Sequence, residues 1–224
     1  MELFVPGSTV VVAHKANRKS LLLRYLKQGV EVIEFDVTFE DGALLVKHGG
    51  NVGSHGLRGL LMSYGYLLLE GREPLFRPST LEEYLRLADG KAGMWLDLKS
   101  RGIEREVAAL ARAHGVRTVI VSSGFHNTLH LARKGCSDAV LMLGNVSYRP
   151  ANPVKEVELA SADGLSINHE FVDKELVEEL HSVGYKVAVW TVNKPQRALE
   201  LIELGVDYLI TDRPEVMRRL VEHV

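Results

Sequence analysis

Short apolar runs alternate with amphipathic stretches along nearly the whole chain. The runs at residues 9–13, 31–38, 94–99, 117–122, 139–143, 164–167, 185–190 and 206–211 are of strand length, and most are rich in Val, Ile or Leu. Such runs predict strands covered on both faces, as in a parallel sheet. Between them, residues 19–28, 103–113, 126–134, 153–160, 173–182, 195–203 and 214–222 predict helices. Another helix opens at Ser79-Thr80-Leu81-Glu82-Glu83, which pairs a hydroxyl cap with an acidic first turn. Gly29, Gly184 and Gly205 stand where helices are expected to stop. Asp41-Gly42 is a tight-turn signal, and residues 43–47 return from it as an added hairpin strand.

Eight β-then-α units with short connections predict an α/β architecture with a parallel sheet. In 224 residues they fit one closed (β/α)8 barrel, a single domain over 1–224. An open doubly wound sheet is the alternative, but its Gly-x-Gly-x-x-Gly phosphate loop is absent from this chain. Residues 49–78 form the one long irregular stretch. A segment of that length inserted in a barrel reads as a lid over the site. Its leucines and Met62 read as packing of that lid, with an acyl-binding surface as the other reading.

The strand at 32–38 carries Glu34 and Asp36 among apolar and β-branched residues. Residues i and i+2 of a strand share a face, so both carboxylates point the same way. Like charges on a buried face repel unless a positive group lies between them, and oxygen donors suit a hard divalent cation. In a (β/α)8 barrel reactive groups cluster at the carboxyl ends of the strands. That rule gathers His14, His48, Asp97, Lys99, Ser122, Ser123, Asn168, His169, Trp190 and Asp212 on one rim. Each has a plainer reading. Asp97 and Lys99 share a face and would pair with each other, Trp190 would be core, and Asp212 reads better as the cap of the last helix. As a set they suggest phosphoester chemistry. Three carboxylates hold a cation, two imidazoles move protons, and lysines meet an anionic substrate.

Composition narrows the field. Hydrophobic residues make up 46% and charged residues 25%, as in ordinary globular proteins. A net charge of −2 argues against nucleic acid or an anionic membrane as partner. Cys136 is the single cysteine, which excludes an internal disulfide framework and a thiolate metal site. No apolar run reaches membrane-span length and no secretory leader is visible, so stable membrane insertion is not expected and a cytoplasmic location is.

The same residues carry a resemblance to a known family. Ala13-His14-Lys15, Ile33-Glu34-Phe35-Asp36-Val37-Thr38, Val46-Lys47-His48, Leu96-Asp97-Leu98-Lys99, Val189-Trp190-Thr191-Val192-Asn193 and Gly205 through Pro214 follow one another in the chain. In this order they resemble the glycerophosphodiester phosphodiesterases, a (β/α)8-barrel family. The resemblance implies His14 and His48 as general acid and base. It implies Glu34, Asp36 and Asp97 as ligands of one Mg²⁺ or Ca²⁺ ion, and Lys99 as a phosphate contact. Lys15, Asn17 and Trp190 are further candidates for substrate contact. The implied reaction begins with attack by a neighbouring glycerol hydroxyl, passes through a cyclic phosphate and ends in glycerol 3-phosphate and an alcohol.

Several positions depart from the family pattern. Lys15-Ala16 stands where the family usually has Arg-Gly, and Lys lacks the bidentate fork of Arg. Gly49 follows the second histidine in place of Asp, and the third ligand is Asp97 in place of Glu. The short His14-x-x-Asn17 loop and the Asp-Leu-Lys strand are similar to the related phospholipase D toxins of spider venom. Cleavage of lysophospholipids is therefore a second expectation, and a non-catalytic barrel binding phosphorylated ligands a third.

Overall fold

The computed structural model describes residues 9–47 and 79–222. His48 and the expected lid at 49–78 lie outside the described residues. The described chain runs β1 (Val10–Ala13), α1 (Lys19–Lys27), β2 (Val32–Glu40), β3 (Ala43–Val46), α2 (Leu81–Ala88), β4 (Gly93–Leu98), α3 (Glu104–Ala113) and β5 (Val119–Ser123). It continues as β6 (Val140–Val146), α4 (Pro153–Leu159), β7 (Gly164–Asn168), α5 (Lys174–Ser182), β8 (Lys186–Trp190), α6 (Pro195–Glu203), β9 (Tyr208–Thr211) and α7 (Pro214–Val221). The expected helix at 126–134 is instead a 3-10 helix, Leu129–Lys134, so the β5–β6 connection lacks a full α-helix.

The strands pair in the order β1-β9-β8-β7-β6-β5-β4-β2, and β1 also pairs with β2, which closes an eight-strand ring of parallel strands. The expected barrel is therefore the one observed. The added strand β3 hangs outside the ring, antiparallel on β2. Its turn has Asp41 at φ 49° and Gly42 at φ 79°. Two successive left-handed residues are what a two-residue hairpin turn requires. Helix α2 begins with the expected hydroxyl cap: Thr80 accepts from the Glu83 backbone N–H while the Glu83 carboxylate accepts from that of Thr80.

Strand parity sorts the side chains into two layers. Val10, Val12, Val32, Trp95, Tyr208 and Ile210 belong to a small cluster inside the ring. Trp95 and Tyr208 meet there edge-to-face, their ring centroids 5.3 Å apart. Alternate residues such as Val11, Ile33, Phe35, Leu96 and Leu209 belong to the larger core between ring and helices. Two-residue steps along each strand then carry the inward parity upward. Val12 leads to His14, Val32 to Glu34 and Asp36, Trp95 to Asp97, Ile120 to Ser122, Ala188 to Trp190 and Ile210 to Asp212. The apolar floor of the barrel thus becomes polar at its carboxyl end. No helix among the described residues is long and apolar enough to cross a membrane.

The wall is tight where β7 meets β8. A Cβ on Gly164 would lie 2.2 Å from the Lys186 carbonyl oxygen. Gly164→Ala is therefore expected to destabilise the barrel by about 1–3 kcal/mol through forced backbone displacement. Urea unfolding checks this, with a lower midpoint and an unchanged slope as the expected result.

Candidate active site

Adjacent strands bring the acidic residues to one point. Asp36 on β2 is in register with Asp97 on β4, and Asp97 with Ser122 on β5. Oxygen atoms of Glu34, Asp36 and Asp97 all lie within 4.8 Å of one another. Glu34 and Asp36 are buried, and Asp97 is half-buried.

Each carboxylate is held by a different donor. The Lys15 backbone N–H donates to Glu34 Oε2 at 2.5 Å, from a residue held at φ 55°. Asn17 grips Asp36 twice. Its Nδ2 donates to Oδ2 at 2.6 Å, and its Oδ1 accepts from the Asp36 backbone N–H at 2.9 Å. Ser122 Oγ donates to Asp97 Oδ1 at 2.9 Å and accepts from Trp95 Nε1 at 2.8 Å, so a residue of the barrel floor orients a residue of the rim. The Lys99 ammonium lies 3.1 Å from Asp36 Oδ1 and is also paired with Asp97.

These partners do not remove the electrostatic cost of the cluster. Burial, and then repulsion from Asp36, push the Glu34 carboxyl up to about 8. Burial raises the Asp97 carboxyl as well, against the opposing pull of Lys99. Three close oxygen donors whose negative charge one ammonium compensates only in part fit a hard divalent cation such as Mg²⁺ or Ca²⁺.

His14 follows β1 directly, and its backbone N–H donates to the Thr211 carbonyl at 2.8 Å. Its Nδ1 is 2.7 Å from Asp212 Oδ1. An ionised carboxylate can only accept, so Nδ1 carries the hydrogen, and the same bond holds the Asp212 carboxyl below its usual value. That leaves Nε2 for exchange with a ligand. Burial acts to lower the His14 pKa, but the Asp212 hydrogen bond and the charges of Glu34, Asp212 and Asp36 together raise it.

Asn193 fixes Asp212 in turn. Its Nδ2 donates to Asp212 Oδ2 at 2.6 Å, and its Oδ1 accepts from the Asp212 backbone N–H and from Thr211 Oγ1, both at 3.0 Å. This corrects the reading of Asp212 as a helix cap. The residue at the start of α7 is Arg213, with no side-chain cap bond, and its backbone N–H goes to Thr211 Oγ1. Inward parity from Ile210 was the available signal, but a residue just before Arg-Pro at a helix start looks like a cap when the sequence is read locally.

The other expected residues divide. Trp190 is half-exposed at the end of β8 and packs on the inner cluster, which joins its two readings. Asn17 was expected to touch substrate, and the structure brings it to Asp36. Asn168 caps the short 3-10 turn His169–Phe171, accepting from the Glu170 N–H at 2.9 Å. Lys15 is half-buried in the β1–α1 loop.

Comparison with known proteins bears on the family and the fold. Residues 79–216 match the family described as the glycerophosphoryl diester phosphodiesterase family. A glycerophosphodiester phosphodiesterase of Bacillus altitudinis is 26% identical over 211 residues, covering 85% of this chain and 86% of that protein. The Bacillus subtilis protein YhdW is 25% identical over 155 residues, an alignment that spans 66% of this chain but only 63% of that protein. Among solved structures, a phosphodiesterase of Oleispira antarctica, in complex with the product sn-glycerol-3-phosphate, superimposes with a TM-score of 0.74 at 23% identity, covering 96% of this chain and 97% of that one.

The raised Glu34 carboxyl has a consequence for stability. A carboxyl shifted upward on folding stabilises fully below its unfolded value near 4.3, and that contribution is lost as pH rises through its folded value. With a chelator present, stability should therefore fall between about pH 4.5 and pH 8 through this group. Glu34→Gln keeps an acceptor for the Lys15 N–H and removes the charge. It should raise the thermal midpoint at pH 8 and leave it nearly unchanged at pH 4.5. Calorimetry across that range checks the sign.

Proposed function

The chain belongs to the glycerophosphoryl diester phosphodiesterase family, and we propose that it hydrolyses glycerophosphodiesters to glycerol 3-phosphate and an alcohol, as one catalytic domain over residues 1–224. The observation that carries this reading is the convergence of Glu34, Asp36 and Asp97 within 4.8 Å, on the same rim as a histidine oriented by Asp212. The product seen in the Oleispira antarctica protein is the one this reaction would release.

Glu34, Asp36 and Asp97 would hold one Mg²⁺ or Ca²⁺ ion, which when bound would draw charge from the phosphoryl oxygens. The chain's own residues account for the rest. Lys99 and Lys15 bring positive charge to the phosphate side, and Trp190 offers an apolar wall to the glycerol carbons. His14 exchanges a proton at Nε2 while Asp212 holds Nδ1. His48, which lies outside the described residues, is the second imidazole of this scheme. Cys136 is buried and the Ser122 hydroxyl donates to Asp97, so neither is presented as an activated nucleophile. In the reaction that family membership implies, the attacking group is a hydroxyl of the substrate glycerol. It gives up a proton and bonds to phosphorus, the P–O bond to the alcohol breaks, and the departing oxygen takes a proton. Water opens the cyclic phosphate in a second, similar step.

The test is hydrolysis of glycerophosphocholine and glycerophosphoethanolamine with Mg²⁺ or Ca²⁺, beside lysophosphatidylcholine. Release of glycerol 3-phosphate that a chelator abolishes is the expected result. Choline released from the lysolipid alone would move the substrate to lysophospholipids. Turnover of no diester would leave a phosphate-binding barrel. His14→Ala should lower kcat by roughly 10²–10⁴, the usual loss for a general acid–base group. Asp212→Asn, which keeps the shape but not the charge, should cost at least about tenfold in kcat at unchanged circular dichroism.

A further inference from the structure

Lys99 occupies a position that its expected role as a phosphate contact does not explain. It follows β4 directly, its backbone N–H donating to the Val37 carbonyl at 2.8 Å. Its side chain is only 18% exposed and turns back onto the carboxylates. The ammonium lies 3.1 Å from Asp36 Oδ1 and against Asp97 Oδ2, bridging the two residues that face each other across β2 and β4.

The remaining oxygens of those two residues are already claimed. Asn17 Nδ2 holds Asp36 Oδ2 and Ser122 Oγ holds Asp97 Oδ1, at 2.6 and 2.9 Å. Both donors are neutral; Ser122 stands on β5, and Asn17 is tied to β2 through the Asp36 backbone N–H. The oxygens that Lys99 holds are thus the ones those donors leave over. A hard cation bonds carboxylate oxygens at about 2.0–2.6 Å. Each oxygen keeps a second lone pair, but two positive centres so close together in a partly dry site repel.

We propose that Lys99 is the internal counter-ion of the carboxylate trio and changes places with the divalent cation, which frees its ammonium to grip the phosphate. Cation and phosphate binding are then coupled through one flexible side chain. The ammonium guards the acidic cluster until a cation arrives, and only the cation-loaded barrel offers a lysine to the anion. The four-carbon stem of Lys, with a compact point charge at its tip, suits such a change of partner better than the planar fork of Arg. This inference rests on the cation site of the proposed function.

The experiment is titration calorimetry on the full chain, with Ca²⁺ and then with inorganic phosphate at saturating Ca²⁺, comparing wild type with Lys99→Met. The exchange predicts effects of opposite sign. Ca²⁺ should bind at least about tenfold more tightly to Lys99→Met, because no ammonium has to leave. Phosphate should then bind at least about tenfold more weakly, because no ammonium is delivered. Lys99→Arg, which keeps the charge, is the second variant if Lys99→Met does not fold. Its bulkier fork should weaken phosphate binding while leaving Ca²⁺ affinity within about threefold of wild type. Equal Ca²⁺ affinity in wild type and Lys99→Met overturns the inference, as does a phosphate affinity that Lys99→Met leaves unchanged. Absence of Ca²⁺ binding to the folded wild-type chain would instead remove the cation site itself, and this inference with it.

Discussion

Negative charge concentrated inside a closed sheet is the constraint that organises this protein. Glu34 and Asp97 sit where burial and repulsion from Asp36 both disfavour ionisation, and the Glu34 carboxyl is pushed up to about 8. The neighbouring residues answer that charge. A backbone N–H from the β1–α1 loop, a side-chain amide from Asn17, a hydroxyl from Ser122 and the ammonium of Lys99 each take one or two of the carboxylate oxygens. Buried charge that is hydrogen-bonded but only partly neutralised is costly to keep for stability alone. Its persistence here is what the proposed cation and the anionic substrate would explain.

The ring makes the cluster possible because parallel strands in register repeat the same alternation side by side. Val32, Trp95 and Ile210 line the floor, and two residues further along the same strands stand Glu34, Asp97 and Asp212. A barrel whose inner side chains pack near its middle is rigid there. The Trp95–Ser122–Asp97 chain passes that rigidity to the rim. On the far side of the mouth, Asn193 and Thr211 do the same for Asp212, and Asp212 for His14. The groups proposed to act on a phosphate are therefore held by neighbouring side chains at the barrel mouth, which limits how far they turn from their positions.

Parts of this arrangement were open to local reading. The eight strand–helix units, the hairpin turn at Asp41-Gly42 and the capping box of α2 rest on periodicity, on glycine's freedom and on short-range hydrogen bonds, all of which act within a few residues. The pairing of Glu34 with Asp36 on one face is likewise a local fact of strand geometry. Leu129–Lys134 is a 3-10 helix where the sequence predicts an ordinary one, because the pattern does not distinguish a three-residue from a 3.6-residue turn over so short a length. The helix-cap expectation for Asp212 fails for a related reason. Its acidic side chain before a helix start satisfied a short-range rule, while its real partner lies almost two hundred positions away.

The sequence by itself determined which residues could form strands, which faces they would present, and that two acids, with a third on a later strand, would point inward if the sheet closed. These follow from bond geometry and from the preference of apolar side chains to leave water. Only the tertiary structure decided which inward-facing residues meet. Register across β2, β4 and β5, and the return of β9 to β1, are set by packing of the whole ring. They alone place Ser122 on Asp97, Lys99 between Asp36 and Asp97, and Asp212 on the histidine of the first strand.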